Sequence, residues 1–264
     1  MRLINSLISH YNVIVNSYFH IILQIYLALP HRYAHWMIRL ATYNIHKAVG
    51  TDRLRRPERI MSVIAEMAPD IAILQEADRR LGARHATIPQ ERIAAYGFHA
   101  VAFESPHQGI GWHGNAILLG PAARLISQAT IALPTLEPRG AVMAEVEIAG
   151  QVIRLVGMHL ALSGLWRKRQ VRAILSALAA QSHKRPTILA GDLNEWSPHG
   201  GCLPEFAHDY RIAWSGPSFH ARRPVARLDR IMFNAELRLL GSGTHHSPKA
   251  KRASDHLPVW ADLA

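Results

Sequence analysis

The chain has 264 residues and a formal net charge of +11, from 30 Lys and Arg against 19 Asp and Glu. Its hydrophobic content of 49% is enough to bury a substantial core, which excludes a disordered chain. Cys202 is the only cysteine, so an intrachain disulfide and a thiolate zinc cluster are excluded as well. The basic charge favours a partner that carries phosphate, either a nucleic acid or the headgroups of anionic lipids.

Residues 1–36 differ from the rest, because Arg2 and Arg32 are their only formally charged side chains. Polar residues interrupt the apolar run over 11–30, which makes it marginal for a membrane span of about 20 apolar residues. A signal anchor, an amphipathic helix on a membrane surface and an upstream extension that the fold does not need all remain open. We favour the last, because Met37 leads directly into the first clear strand, and we expect a single catalytic domain over 37–264. The single cysteine fits a reducing compartment, so the expected location is cytoplasmic, with membrane association through residues 1–36 as an alternative.

The sequence pattern in the first half of the domain predicts strands with a few helices. Alternating residues over 38–44 predict a strand, and Pro57 begins a helix with an apolar stripe at helical spacing. An apolar run over 71–76 predicts the next strand. A helix over 89–96 is followed by strands over 98–103, 115–119, 125–133, 141–148 and 152–159.

The second half is centred on a buried strand that begins near Arg185 and ends in Ala190-Gly191-Asp192-Leu193-Asn194. Before it, a helix over 165–182 fits a nucleic acid, because it carries basic residues in its first turns: Arg167, Lys168, Arg169 and Arg172. After it, a loop over 195–227 and a basic loop over 244–253 separate strands over 228–233, 237–242 and 257–263. Because the pattern shows no linker or repeat, it predicts an α/β domain of two packed sheets flanked by helices.

Polar residues recur at the ends of these otherwise apolar strands. Each has an ordinary explanation, because a strand-end Asn or Asp usually caps a turn, Glu76 can pair with a lysine and His159 can be a hydrogen-bonded core histidine. Together, however, they indicate one shared site at a sheet edge. They are Asn44, Glu76, Asn115, His159, Asp192 with Asn194, and Asp229, joined by Ser254-Asp255-His256 before the last strand.

The order of these motifs resembles the endonuclease/exonuclease/phosphatase superfamily, which includes exonuclease III-like nucleases, deoxyribonuclease I, neutral sphingomyelinases and inositol-polyphosphate 5-phosphatases. The resemblance extends over residues 38–263. It implies a four-layer α/β sandwich of two packed, mainly antiparallel sheets flanked by helices, with the site at one edge of both sheets. The motifs are Thr42-Tyr43-Asn44, Leu74-Gln75-Glu76, Gly114-Asn115-Ala116, Gly157-Met158-His159-Leu160, Gly191-Asp192-Leu193-Asn194, Leu228-Asp229-Arg230-Ile231 and Ser254-Asp255-His256.

The resemblance also implies a divalent-metal site for Mg²⁺ or Mn²⁺, formed by Glu76 with Asn44 and joined by Asp255. His256 would act as a base or bind the scissile phosphate, and Asp229 would orient it.

The remaining residues would act on the water and the phosphate. Asp192 would position the attacking water or handle a proton. Asn194, Asn115 and His159 would donate hydrogen bonds to the phosphoryl oxygens as charge builds.

Two positions depart from the exonuclease III-like pattern or extend it. His46 stands where those nucleases carry an aspartate, which suggests contact with the substrate and leaves the number of metals open. Arg139, in a stretch similar to small bacterial members encoded near phospholipid-synthesis enzymes, would clamp a phosphate or be an ordinary loop arginine.

The sequence therefore predicts a divalent-metal-dependent phosphoesterase that hydrolyses a phosphodiester, as nucleases do, by in-line attack of an activated water. A phosphoesterase acting on phospholipid headgroups or inositol phosphates is one alternative. Another is a catalytically silent module that binds nucleic acid or membrane, although four acids in one site would repel a phosphate without a metal. The expected partner is a nucleic acid or a phospholipid headgroup, and we expect a monomer.

Overall fold

The computed structural model describes residues 36–79, 84–104, 109–134 and 137–264. Met37–Ala264 forms one compact unit. The predictions for residues 1–35 fall outside the described residues and stay predictions. In the described ranges, no helix is both long and apolar enough to cross a bilayer.

Strands make up most of the regular structure over these ranges. In chain order they are β1 (Ile38–Asn44), β2 (Ile71–Gln75), β3 (His99–Ala100), β4 (Ala116–Leu119), β5 (Ala123–Ala132), β6 (Gly140–Ile148), β7 (Gln151–His159), β8 (Thr187–Asp192), β9 (Tyr210–Ile212), β10 (Asp229–Asn234), β11 (Leu239–Thr244) and β12 (Val259–Leu263). The α-helices are α1 (Pro57–Met67), α2 (Gln90–Ala95), α3 (Gly164–Ala179) and α4 (Ala250–Ala253), and single 3₁₀ turns lie at His46–Ala48 and Leu203–Glu205.

The strands form two six-stranded sheets, which confirms the predicted two-sheet α/β fold. The first has the order β11-β12-β1-β2-β4-β3, and the second has the order β5-β6-β7-β8-β10-β9. Only β1 with β2 and β7 with β8 run parallel among the described pairs, so both sheets are mainly antiparallel.

Four layers follow from how the faces of these sheets are covered. Apolar residues of α1 and α2 share a core with the outer face of the first sheet, and those of α3 share another with the second sheet. Between the sheets the backbones come close, since a side chain added at Gly157 of β7 would lie 2.7 Å from Cγ2 of Ile73 on β2. The layers therefore run helix, sheet, sheet, helix.

The two-residue period of a strand decides which side chains face between the sheets. Leu189 of β8 and Met232 of β10 point toward α3 and its core. Asp192 and Asp229 lie three positions away from them, so they point to the opposite face, toward the first sheet. The same alternation turns His159 inward, because its neighbour Met158 packs in the α3 core.

Some elements differ from the sequence-based expectation. The strand predicted over 98–103 is only His99–Ala100, because pairing with β4 stops just after Ala100. The short edge strand β9 and the single turn α4 lie in stretches predicted as loops, and neither is long enough to show a periodic pattern. The helix predicted to reach residue 182 ends at Ala179.

One of the four basic residues at the start of α3 is buried. Arg167 is buried, and its Nη2 lies 3.1 Å from Oε2 of Glu195. Arg172 pairs with Glu205 through Nη2 and Oε1 at 2.9 Å. Arg167 is therefore not part of the exposed surface of this helix, and the fit of a nucleic acid to its other basic residues stays a prediction.

Candidate active site

One edge of the second sheet places three polar side chains in a row. His159 at the end of β7 is in register with Asp192 at the end of β8, and Asp192 is in register with Asp229 at the start of β10. All three are buried and face the first sheet. From that sheet, Asn44 at the end of β1 donates through Nδ2 to Oδ2 of Asp192 at 2.9 Å. The predicted residues of the two sheets thus meet at a shared edge.

His256, in the loop that leads into β12, lies between two of these carboxylates. Its Nδ1 is 2.7 Å from Oδ2 of Asp229, and its Nε2 is 3.8 Å from Oδ2 of Asp192. The Phe219 ring packs against the imidazole, with centroids 4.9 Å apart. Oδ1 of the fully buried Asp229 has no hydrogen-bond partner within the described ranges. The fold therefore concentrates negative charge around one imidazole in a site with little exposure to water.

This arrangement shifts the protonation equilibria of both partners. Burial lowers the pKa of His256, but the carboxylates of Asp229 and Asp192 outweigh burial and raise it to about 10. Burial raises the pKa of Asp192 to about 6, against the opposing effect of the nearby imidazolium. The cluster therefore favours a charged imidazolium beside a carboxylate that is more basic than usual.

Arg139 and His159 extend the cluster along the second sheet. Nη1 of Arg139 is 2.6 Å from Nε2 of His159, which in turn is 3.4 Å from Oδ2 of Asp192. Nη2 of Arg139 also lies 3.2 Å from Oε2 of Glu137. Only 5% of Arg139 is exposed, and its contact with a phosphate stays a prediction.

The two predicted carboxamides of the phosphate-binding set bind protein carbonyls. Nδ2 of Asn194 donates to the Leu160 carbonyl at 2.9 Å, and its backbone N–H donates to Oδ1 of Asp192 at 2.9 Å. Asn115 is fully buried, and its Nδ2 donates to the Gly140 carbonyl at 2.9 Å. These contacts fix the loops around the site, and donation to a phosphoryl oxygen stays a prediction for both residues.

The first sheet contributes a more open and ionic side. The Glu76 carboxylate accepts a hydrogen bond from the ammonium group of Lys47. Asp255, whose side chain is 28% exposed, lies 3.7 Å through Oδ1 from Nδ1 of His46. The hydroxyl of Ser254 donates to the Asn44 carbonyl at 2.7 Å and so holds this loop against β1. Asn44, Glu76 and Asp255, the predicted metal ligands, therefore surround the end of β1.

A second group of possible metal ligands lies deeper. One ligand atom each from Asp192, Asp229 and His256 falls within 4.8 Å of the others. This set differs from the predicted one, although the Asn44 amide contacts it through Asp192. The structure thus gathers both sets at one edge.

Sequence reasoning missed Lys47 and Phe219, which contact Glu76 and His256. Lys47 lies only three residues after Asn44, and this proximity was a usable signal. Phe219 lies in a loop far from His256 in sequence, and nothing in its local pattern indicates the contact.

Comparison with known proteins identifies relatives of this fold. A family model described as "Endonuclease/Exonuclease/phosphatase family" matches residues 41–256. No curated protein matches the chain.

Solved structures resemble the chain over most of its length. An endonuclease/exonuclease/phosphatase from Beutenbergia cavernae is 24% identical, with a TM-score of 0.66, over 86% of this chain and 71% of that one. The human Nocturnin catalytic domain with bound sulfate is 23% identical, with a TM-score of 0.69, over 86% and 94%. A humanized D. rerio TDP2 is 18% identical, with a TM-score of 0.65, over 86% and 99%. At these identities the likeness establishes a shared fold.

Proposed function

Because the chain belongs to the endonuclease/exonuclease/phosphatase family, we propose that it is a divalent-metal-dependent phosphoesterase. It hydrolyses a phosphodiester by in-line attack of a water molecule on phosphorus. The observation that carries this proposal is the buried cluster in which His256 lies between Asp229 and Asp192. A hydrogen-bonded acid and imidazole fix the ring's orientation and its protonated nitrogen, which proton transfer and phosphate binding both require.

The geometry supports a distinct role for each member of the cluster. Asp229 binds Nδ1 of His256, so Nε2 is the ring nitrogen left to bind a phosphoryl oxygen. The pKa of His256 is raised, so the ring carries a positive charge where negative charge builds in the transition state. Asp192, whose pKa is raised by burial, is the group that accepts a proton from the attacking water.

The residues at the end of β1 fit a hard divalent cation. Glu76, Asn44 and Asp255 offer the carboxylate and amide oxygens that Mg²⁺ and Mn²⁺ prefer. The Glu76 carboxylate already contacts a cation, the ammonium group of Lys47. When bound, the metal would supply charge neutralisation for the phosphate.

The substrate class is a second part of the proposal. A nucleic acid suits the basic charge of the chain, although the burial of Arg167 removes one argument for it. A phospholipid headgroup is the second candidate, and exposed apolar side chains in the segments that follow β1, β7 and β8 favour it.

Hydrolysis of bis(p-nitrophenyl) phosphate with Mg²⁺ or Mn²⁺ tests the reaction independently of the natural substrate. We expect activity that EDTA abolishes and that His256→Ala lowers by at least about 100-fold. His208→Ala is the matched control, because His208 forms a similar pair with Asp209 at 2.6 Å on the surface. Equal rates for His256→Ala and the wild type would refute the proposal.

A further inference from the structure

Five large apolar side chains are exposed in segments next to the strand ends at the site edge, four of them in loops and Leu165 in the first turn of α3. Their exposed fractions range from 49% to 68%, far above those of the apolar side chains in the core. They form what we call the apolar rim: Leu54, Leu162, Leu165, Trp196 and Val225.

The chain path places these residues around the site. Leu162 lies three residues after His159 at the end of β7, and Leu165 lies in the first turn of α3. Trp196 lies four residues beyond Asp192 of β8, and Leu54 lies in the loop that leaves β1 at Asn44. These members of the apolar rim therefore belong to segments that start from the same edge as the catalytic cluster.

Val225 joins the rim through a loop that touches the site. Its backbone N–H donates to the Phe219 carbonyl at 2.7 Å, and the Phe219 ring contacts both His256 and Trp196. In the same loop, the N–H of Ala221 donates to the Asp255 carbonyl at 2.6 Å. The loop that carries Val225 is thus held against His256 by the Phe219 ring and against Asp255 by a backbone hydrogen bond.

Exposed arginines lie in two of the same loops as the apolar rim. We call them the basic rim residues: Arg53, Arg55, Arg56, Arg222 and Arg223. Within the part of the chain that the structure describes, none of them forms an ion pair. Arg222 also connects the two loops, because its Nη2 donates to the Thr51 carbonyl at 2.8 Å.

We propose that the apolar rim and the basic rim residues dock the protein on an anionic lipid bilayer, with the site edge toward the headgroups. Aliphatic side chains and tryptophan enter the boundary between headgroups and acyl chains, while arginines attract anionic lipids. Single-stranded nucleic acid fits this surface less well, since leucine and valine have no flat face on which a base can stack. Docking concerns a surface and does not depend on the proposed reaction.

Sedimentation with sucrose-loaded vesicles tests the proposal with the full chain. The vesicles contain phosphatidylglycerol and phosphatidylcholine, and EDTA is present so that turnover and metal bridging do not contribute. We expect Leu162→Ser with Val225→Ser to weaken binding about tenfold. Arg222→Gln with Arg223→Gln should weaken it about 25-fold, at roughly fivefold for each arginine near the surface.

A matched control uses two exposed apolar residues on other parts of the sheets. Ile126 on β5 and Leu240 on β11 are 42% and 43% exposed and lie toward the strand ends far from the site. We expect Ile126→Ser with Leu240→Ser to leave vesicle binding within twofold of the wild type. Unchanged thermal unfolding midpoints would show that every variant is folded.

Two results would overturn the proposal. If the rim variants bind vesicles like the wild type, any membrane contact arises elsewhere in the chain. If single-stranded oligonucleotides bind, and binding depends on Trp196 and the arginines while vesicles do not bind, the surface is a nucleic-acid face.

A dye on Val225→Cys, with the native Cys202 buried, should be quenched by brominated lipids if docking occurs as proposed.

Discussion

The two sheets contribute to the shared edge in different ways. The second sheet supplies Asp192 and Asp229, whose side chains are 2% and 0% exposed and fixed by hydrogen bonds. The first sheet supplies Glu76 and Asp255, whose side chains are 14% and 28% exposed and lie beside Lys47 and His46. One side is therefore a rigid, buried network, and the other is a set of ion pairs closer to water.

This difference suggests a division of work. A buried acid–imidazole network keeps its geometry in the absence of a ligand, which favours positioning and proton transfer. Partly exposed carboxylates beside a lysine can exchange one cation for another without repacking the core. For the proposed reaction, the second sheet would therefore hold the groups that act on the water and the phosphate, and the first sheet would hold the metal.

The largest effect is expected from disrupting the buried hydrogen-bond network of the second sheet. Asp229→Asn keeps the shape of the side chain but removes the charge that orients His256 and keeps its Nδ1 protonated. We expect kcat/KM for bis(p-nitrophenyl) phosphate to fall about 1000-fold. Asp209→Asn, which alters the surface Asp209–His208 pair, should leave the rate unchanged. A loss of less than tenfold for Asp229→Asn would contradict the proposed role of the pair.

A smaller effect is expected in the loop that follows Asp192, where Glu195 pairs with the buried Arg167. Burial raises the pKa of Glu195, but the backbone N–H groups of Ser197 and Cys202, with Arg167, outweigh it and lower the pKa. The resulting stability is present above the unfolded-state pKa of about 4.3 and is lost as the pH falls through the folded-state value.

Urea unfolding at several pH values checks this dependence. We expect Glu195→Gln to lower the free energy of unfolding by about 2 kcal/mol at pH 7, because a charged hydrogen bond is lost. The difference from the wild type should shrink below about pH 4. A difference that stays constant down to pH 3 would show that the charge of Glu195 is not responsible.

The smallest effects are expected from changes to the more exposed ion pair between Glu76 and Lys47, which test how the first sheet holds a metal. Glu76→Gln should raise the Mn²⁺ concentration that gives half-maximal activity about tenfold, which is the scale of weakened metal sites. Lys47→Met should lower it severalfold, since the competing ammonium is gone. Activity titrations with Mn²⁺ measure both. If both variants shift the midpoint in the same direction, Lys47 and the metal do not compete for Glu76.

Local pattern was enough to predict much of this molecule. The strand over 38–44 matches β1 at both ends, and the helix predicted from Pro57 appears as α1, because apolar periodicity and proline act within a few residues. The strand-end positions of Asn44, Asp192 and Asp229 follow from the same signal.

Side-chain partners that are distant in sequence were beyond such reasoning. Arg167 resembles any basic residue on a helix, and only its contact with Glu195, 28 residues away, explains why it is buried. The Lys47 contact with Glu76 and the Arg139 contact with His159 likewise depend on how loops fold back on the sheets. Periodicity reports which face a residue occupies, but it does not report which polar group will meet it there.

The hydrogen bond from Asn44 to Asp192 crosses from one sheet to the other. It links Asp192, a member of the buried cluster on the second sheet, to the end of β1 in the first sheet. Separation of the two sheets at this edge would break that hydrogen bond and move Asn44 away from Asp192. The structure therefore favours adjustment to a bulky ligand through the surrounding loops.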